Sequence, residues 1–412
     1  MALSAIDPER IERRLDDIWA IGHTDAGGVT RLAYSAEENE AFEYLRSELP
    51  DDYDVREDSL GNLFATRDPD AEESLYVGSH LDSVYNGGRL DGPLGVVTAL
   101  EAIEAVDASD ETPPRPPTLV VFRAEESARF GHHTIGSRGA LGRLTVDEFS
   151  ATDEEGVPLW LAMQRAGFHP ESLAEPTIDM DSIAGFLELH IEQGRVLDEA
   201  DESIGVVTSI RAPVRYRVTV SGEYDHSGAT PMGLRRDALV AAAEAIVAIE
   251  RIGSEAADAG DVVATVGDVT AEEGAINKVC GEVTFPIDLR SNDETYRDEV
   301  ESRILEELEA IAERRGVGID PELIDRSEPV ELDGTVVDTL ADAAAATDAA
   351  YRRIPSGGGH DAMNFQLAGV PTGMVFVPSV DGISHSPAEA TDPEAIEAGA
   401  RVLARALLDY DS

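Results

Sequence analysis

The stretch Leu-Tyr-Val-Gly-Ser-His-Leu-Asp-Ser (75–83), followed by Asn-Gly-Gly-Arg-Leu-Asp-Gly (86–92), decides how this chain reads. The apolar run over 75–78 is a short buried strand. It leads directly into polar residues that include His80 and Asp82. A glycine-rich loop carrying Asp91 then opens onto Pro93, which suits the first turn of a helix over 93–106. Strand, polar loop and helix in that order form the repeating unit of a parallel α/β sheet.

The same style extends in both directions. Asp7-Pro8 pairs an N-cap with a first-turn proline. Ser-Ala-Glu-Glu (35–38) is a capping box opening a second helix to residue 48. Strands are expected over 53–57, 63–66, 119–122, 186–191 and 373–377, and helices over 335–347 and 393–408. The middle differs. Strands over 214–221, 262–269, 282–289 and 318–324 alternate with helices over 237–252 and 295–315. That β-α-β-β-α-β order is the split βαβ of a ferredoxin-like module. The expected architecture is therefore α/β, with helices on both faces of a mainly parallel sheet, over residues 1–209 and 327–412. A smaller α+β domain over 210–326 is inserted into it.

Charge narrows the function. The chain of 412 residues has 32 Lys plus Arg against 83 Asp plus Glu, a net −51, and Lys278 is its only lysine. Long-range repulsion of phosphate excludes a nucleic-acid partner. The acids lie between periodic apolar segments, so the pattern is a folded protein with an acidic surface rather than a disordered tail. Concentrated salt, with a Debye length of about 3 Å at 1 M, would screen that charge, which points to a halophilic source. The single cysteine, Cys280, cannot form an internal disulfide, which suits a reducing cytoplasm, and reads as a small buried residue. Residues 1–15 have no signal-peptide core, and no apolar run reaches membrane-span length. A cytoplasmic location is expected.

Polar residues gather at the strand ends: His80, Asp82 and Asp91; Glu125 and Glu126 after 119–122; His190 in Glu-Leu-His-Ile-Glu-Gln-Gly (188–194); and His385 in Gly-Ile-Ser-His-Ser-Pro (382–387). In an open α/β sheet such ends surround one crevice. Histidine with carboxylate is a donor set for Zn²⁺ or a similar ion. One carboxylate can bridge two ions about 3.5–4 Å apart, as in several hydrolases.

These motifs resemble the M20 family of metallo-amidohydrolases. The branch resembled holds N-carbamoyl-L-amino acid hydrolases, β-ureidopropionases and allantoate amidohydrolases. Further matches are Gly-Gly-Val-Thr-Arg-Leu (27–32), Gly-Asn-Leu-Phe (61–64), Asp-His-Ser-Gly-Ala-Thr-Pro-Met (225–232), Asp-Leu-Arg-Ser (288–291) and Ser-Gly-Gly-Gly-His-Asp-Ala (356–362). They span nearly the whole chain.

The resemblance implies two divalent ions per subunit, Zn²⁺ by default with Mn²⁺, Co²⁺ or Ni²⁺ as alternatives. It implies that Asp91 bridges them, with His80 and His190 on one ion and Glu126 and His385 on the other. Glu125 is implied as general base. Asp82 would orient His80 or, on the blander reading, cap a turn. Asn277 and Arg290 are implied to bind substrate and His226 to bind substrate and stabilise the oxyanion, with Gln193 and Gly358 as further contacts. His360 and Asp361 would stand behind the ligands. The small domain is implied to act as lid and homodimer contact.

The expected activity is hydrolysis of a non-peptide C–N bond in a small carboxylate-bearing ureido compound. The alternatives are an M20 aminoacylase or peptidase, and a non-catalytic binder on the same fold. One departure stands out. The family's Glu-Glu-Gly-Ser-Arg-Phe is Glu-Glu-Ser-Ala-Arg-Phe here (125–130), which puts the local loop shape in doubt.

Overall fold

The computed structural model describes residues 4–169 and 175–411. The chain packs as two compact units, Met1–Thr208 with Glu331–Ser412, and Ser209–Val330.

The larger unit is a mixed α/β structure. Its sheet runs Asp54–Glu57, Leu63–Thr66, Pro117–Phe122, Ser74–His80, Ile183–Ile191, Thr372–Val377, Ile204–Ile210, with Tyr351–Ser356 also pairing the last of these. The four central strands, Pro117–Phe122 to Thr372–Val377, are parallel. Leu63–Thr66 and Ile204–Ile210 flank them antiparallel, and Asp54–Glu57 joins Leu63–Thr66 antiparallel. Register sets His80 opposite Phe122 and His190 opposite Phe376, near the carboxyl ends. The strand expected over 75–78 continues to His80, so that histidine closes the strand rather than opening the loop. The strands Ile204–Ile210 and Tyr351–Ser356 escaped the sequence reading; the second carries Arg352 and Arg353 and lacks a clear apolar run.

Helix Pro93–Asp107 follows the decisive loop and is buried at every position except Glu104 and Asp107. Apolar residues all round mark a core helix. Its one buried acid, Glu101, is fully paired: Oε1 accepts from the Asp7 amide at 2.6 Å and Oε2 from Arg10 Nε at 2.7 Å. Those contacts pin helix Pro8–Ala20, whose N-cap is Asp7. Removing one partner would strand a buried charge, at a cost of about 3–5 kcal/mol.

The smaller unit holds an antiparallel sheet in the order Thr270–Ala271, Glu282–Ser291, Ala212–Ser221, Gly318–Arg326, with Val262–Thr265 also on Glu282–Ser291. The strand expected over 262–269 stops at Thr265, short of Gly267. Period-two alternation buries Val214, Val218 and Val220 with Val283, Phe285, Ile287 and Leu289. They pack with Ala241, Ala245, Ile249 and Ile252 of helix Ala238–Ala257 and Val300, Ile304, Leu308 and Ile311 of helix Glu294–Arg315. Cys280 is a buried member of this core. No helix among the described residues is long and apolar enough to cross a membrane.

Candidate metal centre

Parallel strand ends and one tight loop build the site. Gly92 has φ +86°, and a Cβ there would lie 2.5 Å from the His80 ring. Only glycine lets the backbone turn this closely past the imidazole and deliver Asp91 beside it. Asp91 Oδ1 then lies 3.1 Å from His190 Nε2 and 4.0 Å from His80 Nε2. Asp91 Oδ2 lies 3.2 Å from His385 Nε2, which is 3.4 Å from Glu126 Oε1. Two groups result, His80–Asp91–His190 and Asp91–Glu126–His385, each with ligand atoms within 4.8 Å of one another. Asp91 is the shared member and turns one oxygen toward each group. Glu125 Oε2 stands 3.9 Å from His80 Nε2.

The histidines are oriented from behind. His190 Nδ1 lies 3.0 Å from the Ile191 carbonyl, which fixes the proton there and leaves the Nε2 lone pair facing Asp91. His80 Nδ1 lies 3.4 Å from Asp82 Oδ1 and 3.3 Å from the Asp82 carbonyl. The shorter contacts of Asp82 go elsewhere. Its two carboxylate oxygens accept the backbone N–H of Glu125 at 2.9 Å and of Glu126 at 3.0 Å. Asp82 thus caps the turn and faces His80 at once.

Asp91 has supports that the sequence did not announce. Glu389 Oε1 accepts from the amides of Leu90 at 2.7 Å and Asp91 at 3.0 Å, and Ser384 Oγ donates to Asp91 Oδ2 at 2.9 Å. Glu389 sits in an acid-rich C-terminal stretch, where nothing separates it from a surface acid.

The electrostatics show a site short of positive charge. Burial works against the Asp91 carboxylate, yet hydrogen bonds from His190 and His385 hold its pKa well below the usual range. Burial pushes Glu125 well up, and its neighbour Glu126 adds to the rise. Glu126 is pushed up to about 7 by burial and then by the charge of Asp91. His80 is raised well above normal because Glu125 and Asp82 outweigh its burial. His385 is raised to about 9, first by its hydrogen bond to Asp91. Without a metal, protons supply the counter-charge. Imidazole nitrogens and carboxylate oxygens with this surplus of negative charge fit divalent cations, which compete for the same lone pairs.

The other residues divide by unit. Gln193, with φ 58°, donates through Nε2 to Asp91 Oδ2 at 2.8 Å and to Ser384 Oγ at 3.1 Å. A Cβ on Gly358 would meet Gln193 Oε1 at 3.4 Å, so these two are neighbours. His360 is buried with its ring 4.6 Å from that of His190 and Nε2 3.0 Å from Ser356 Oγ; burial drives its pKa well below normal, so it is neutral. Asp361 Oδ1 accepts from Ser137 Oγ at 2.5 Å. Ser127 and Ala128 both avoid the left-handed region, so the usual glycine is not required for this turn.

In the smaller unit, His226 is exposed and pairs in register with Lys278. Its Nδ1 accepts the amides of Gly228 and Ala229, both at 3.1 Å, which places the ring proton on Nε2. Asn277 is exposed, and its carbonyl accepts the Ser227 amide at 2.9 Å. Arg290 makes a two-pronged contact with Asp288, Nε–Oδ1 2.9 Å and Nη2–Oδ2 2.8 Å.

A mixed α/β unit with a carboxylate shared between two His-carboxylate groups offers the donor set of a metal-dependent hydrolase. The chain belongs to the peptidase family M20/M25/M40, whose model matches residues 76–409. It is 40% identical over 403 residues to the N-carbamoyl-L-amino acid amidohydrolase of Geobacillus stearothermophilus, covering 97% of each chain. It is 35% identical to the allantoate amidohydrolase of Escherichia coli strain K12, covering 96% of each. A solved hydantoinase/carbamoylase family amidase from Burkholderia multivorans superposes with a TM-score of 0.90 at 33% identity, over 98% of each chain.

Proposed function

We propose that this protein hydrolyses the C–N bond of a small ureido compound bearing a carboxylate: an N-carbamoyl amino acid, β-ureidopropionate or allantoate. The observation that carries the reading is Asp91, whose two oxygens are shared between two His-carboxylate groups with Glu125 alongside. Full-length similarity to amidohydrolases of ureido compounds supports the substrate class.

The proposed ligands are His80, Asp91 and His190 for one ion and Asp91, Glu126 and His385 for the other. Bound divalent ions make water acidic enough to attack at neutral pH and polarise a carbonyl. Glu125, a buried carboxylate 3.9 Å from His80 Nε2, takes the proton of the attacking water. The water oxygen bonds to the carbamoyl carbon, the C–N bond breaks, and Glu125 returns the proton to the leaving nitrogen. The carbamate so released decomposes to carbon dioxide and ammonia. His226, with its proton on Nε2, is the proposed donor to the developing oxyanion. Arg290 and Asn277 are proposed to hold the substrate carboxylate, with Gln193 and Gly358 as further contacts. We read Zn²⁺ as the default metal and residues 210–326 as a ferredoxin-like lid through which two copies dimerise. The net charge of −51 and the single cysteine support a halophilic, cytoplasmic setting.

Ammonia release in high salt with added Zn²⁺ or Mn²⁺, across N-carbamoyl-L-amino acids, N-carbamoyl-β-alanine and allantoate, tests this. Chelator-sensitive ammonia from one of them is expected. Activity confined to an N-acetyl amino acid would replace the reading with an aminoacylase.

A further inference from the structure

The turn that delivers Glu125 and Glu126 is held in an unusual way. Four successive backbone N–H groups are received by side chains from three other segments. Arg123 N donates to Asn62 Oδ1 at 3.1 Å and Ala124 N to Glu38 Oε1 at 3.3 Å. Glu125 N and Glu126 N go to the carboxylate of Asp82. The carbonyls of Arg123, Ala124 and Glu125 accept from the amides of Gly136, Ile135 and Thr134 at 2.9, 2.9 and 2.7 Å. Inside this cage Ala124 has φ 56°, a left-handed conformation that an L-residue adopts only when its surroundings hold it there.

Glu38 is the least expected member. A capping box would spend its carboxylate on the amide of Ser35. Instead Oε2 accepts from the Tyr34 amide at 2.7 Å and from Arg123 Nη1 at 2.8 Å, leaving Oε1 for Ala124. Both partners are sealed from solvent, Glu38 at 0% and Arg123 at 2% exposure. The guanidinium lies over the rings of Phe42 at 3.8 Å and Phe168 at 4.5 Å, and its Nε donates to the Gly61 carbonyl at 2.8 Å. A buried ion pair is a weak source of stability against a well-packed apolar alternative. Its geometry here accounts for something else: it fixes the backbone one residue before the proposed base.

We propose that Glu38, braced by Arg123, is a positioning residue that holds the left-handed turn at Ala124 and thereby aims Glu125 and Glu126. The inference rests on the hydrolase reading for Glu125 and on the metal reading for Glu126. A displacement of about 1 Å at a reacting group can cost about 100-fold in rate. Glu38→Gln should therefore lower kcat by about 10- to 100-fold with KM within about two-fold of wild type. Adding Ala124→Gly, which accepts φ 56° without penalty, should recover much of that kcat. A merely structural role for Glu38 gives no such recovery. Should Glu38→Gln not fold, Ala124→Val tests the same turn from within, because a β-branched residue resists the left-handed region while Ala124→Gly alone does not. Ala124→Val should lose kcat at unchanged KM, and Ala124→Gly should keep it.

A second readout does not depend on turnover. The visible spectrum of the Co²⁺-loaded protein should change in Glu38→Gln or Ala124→Val, because Glu126 leaves its place. If the wild type turns over no ureido compound, the hydrolase reading fails while this spectrum still decides the positioning claim. A spectrum and kcat equal to wild type in these variants would overturn it, as would a loss of kcat in Glu38→Gln that Ala124→Gly does not restore.

Discussion

The two units treat their polar residues in opposite ways. In the larger unit His80, Asp91 and His190 are buried at 1%, 5% and 2% exposure, and each meets another candidate ligand within its own unit. In the smaller unit His226 and Asn277 are exposed, and Arg290 turns to Asp288. Burying charged and polar groups costs several kcal/mol unless something compensates, and the donors of this cluster fit a cation in that role. Exposed groups bear no such cost and stay open to something that arrives from outside. The comparison therefore separates a buried donor cluster from polar groups left accessible at the surface.

The largest expected effect breaks the first half of the comparison. Asp91→Ala removes the shared member of both groups, so both ions should be lost and activity should fall by more than about 10⁴-fold, the scale of a catalytic metal with its base. Elemental mass analysis checks it, and two ions retained per chain would refute the bridge. Glu125→Gln should be milder and different in kind. It should keep the metal and lower kcat by about 10²–10⁴-fold, the usual contribution of a general base.

How much of this was legible follows from the same contrast. The parallel centre could be read because strand, loop and helix recur along the chain, and topology alone brings the strand ends together. His80, Asp91, Glu126, His190 and His385 could be singled out as histidines and carboxylates at or after the ends of these strands, within stretches that match the family's motifs. Glu38, Arg123 and Glu389 could not. Their partners lie far away in sequence, and Glu38 already had a sufficient local explanation as a helix cap. The two strands missed at Ile204–Ile210 and Tyr351–Ser356 are not part of the parallel set, the first pairing antiparallel with Thr372–Val377, and fall outside the strand-loop-helix pattern that guided the reading.

Effects of intermediate size test the second half of the comparison. His226→Ala should lower kcat by about 10²–10³-fold, the cost of one oxyanion donor, without loss of metal. Arg290→Ala should act on binding instead. A charge-assisted contact contributes about 1.5–3 kcal/mol, so KM for a carboxylate substrate should rise about 10- to 100-fold with metal content unchanged. Unchanged KM would remove Arg290 from the substrate's reach and leave it a structural role that includes its pairing with Asp288.

The smallest effect is a slope, and it sharpens the claim that the buried cluster awaits a cation. In the metal-free chain His385 titrates at about 9 rather than 6.5, and Glu126 at about 7 rather than 4.5. A histidine raised on folding contributes stability below its unfolded pKa and loses it as pH climbs through the folded value. A carboxyl raised on folding has the same sign, because the native state binds the proton more tightly. Both contributions therefore fall with rising pH, Glu126 mainly between 4.5 and 7 and His385 between 6.5 and 9. The chelated protein should melt at progressively lower temperature from pH 6.5 to 9. Metal replaces those protons, and its affinity rises as they leave, so the loaded protein should show a flatter or reversed slope over the same range. Parallel melting curves with and without chelator would mean that the cluster holds no ion, and that its protons alone balance Asp91, Glu125 and Glu126.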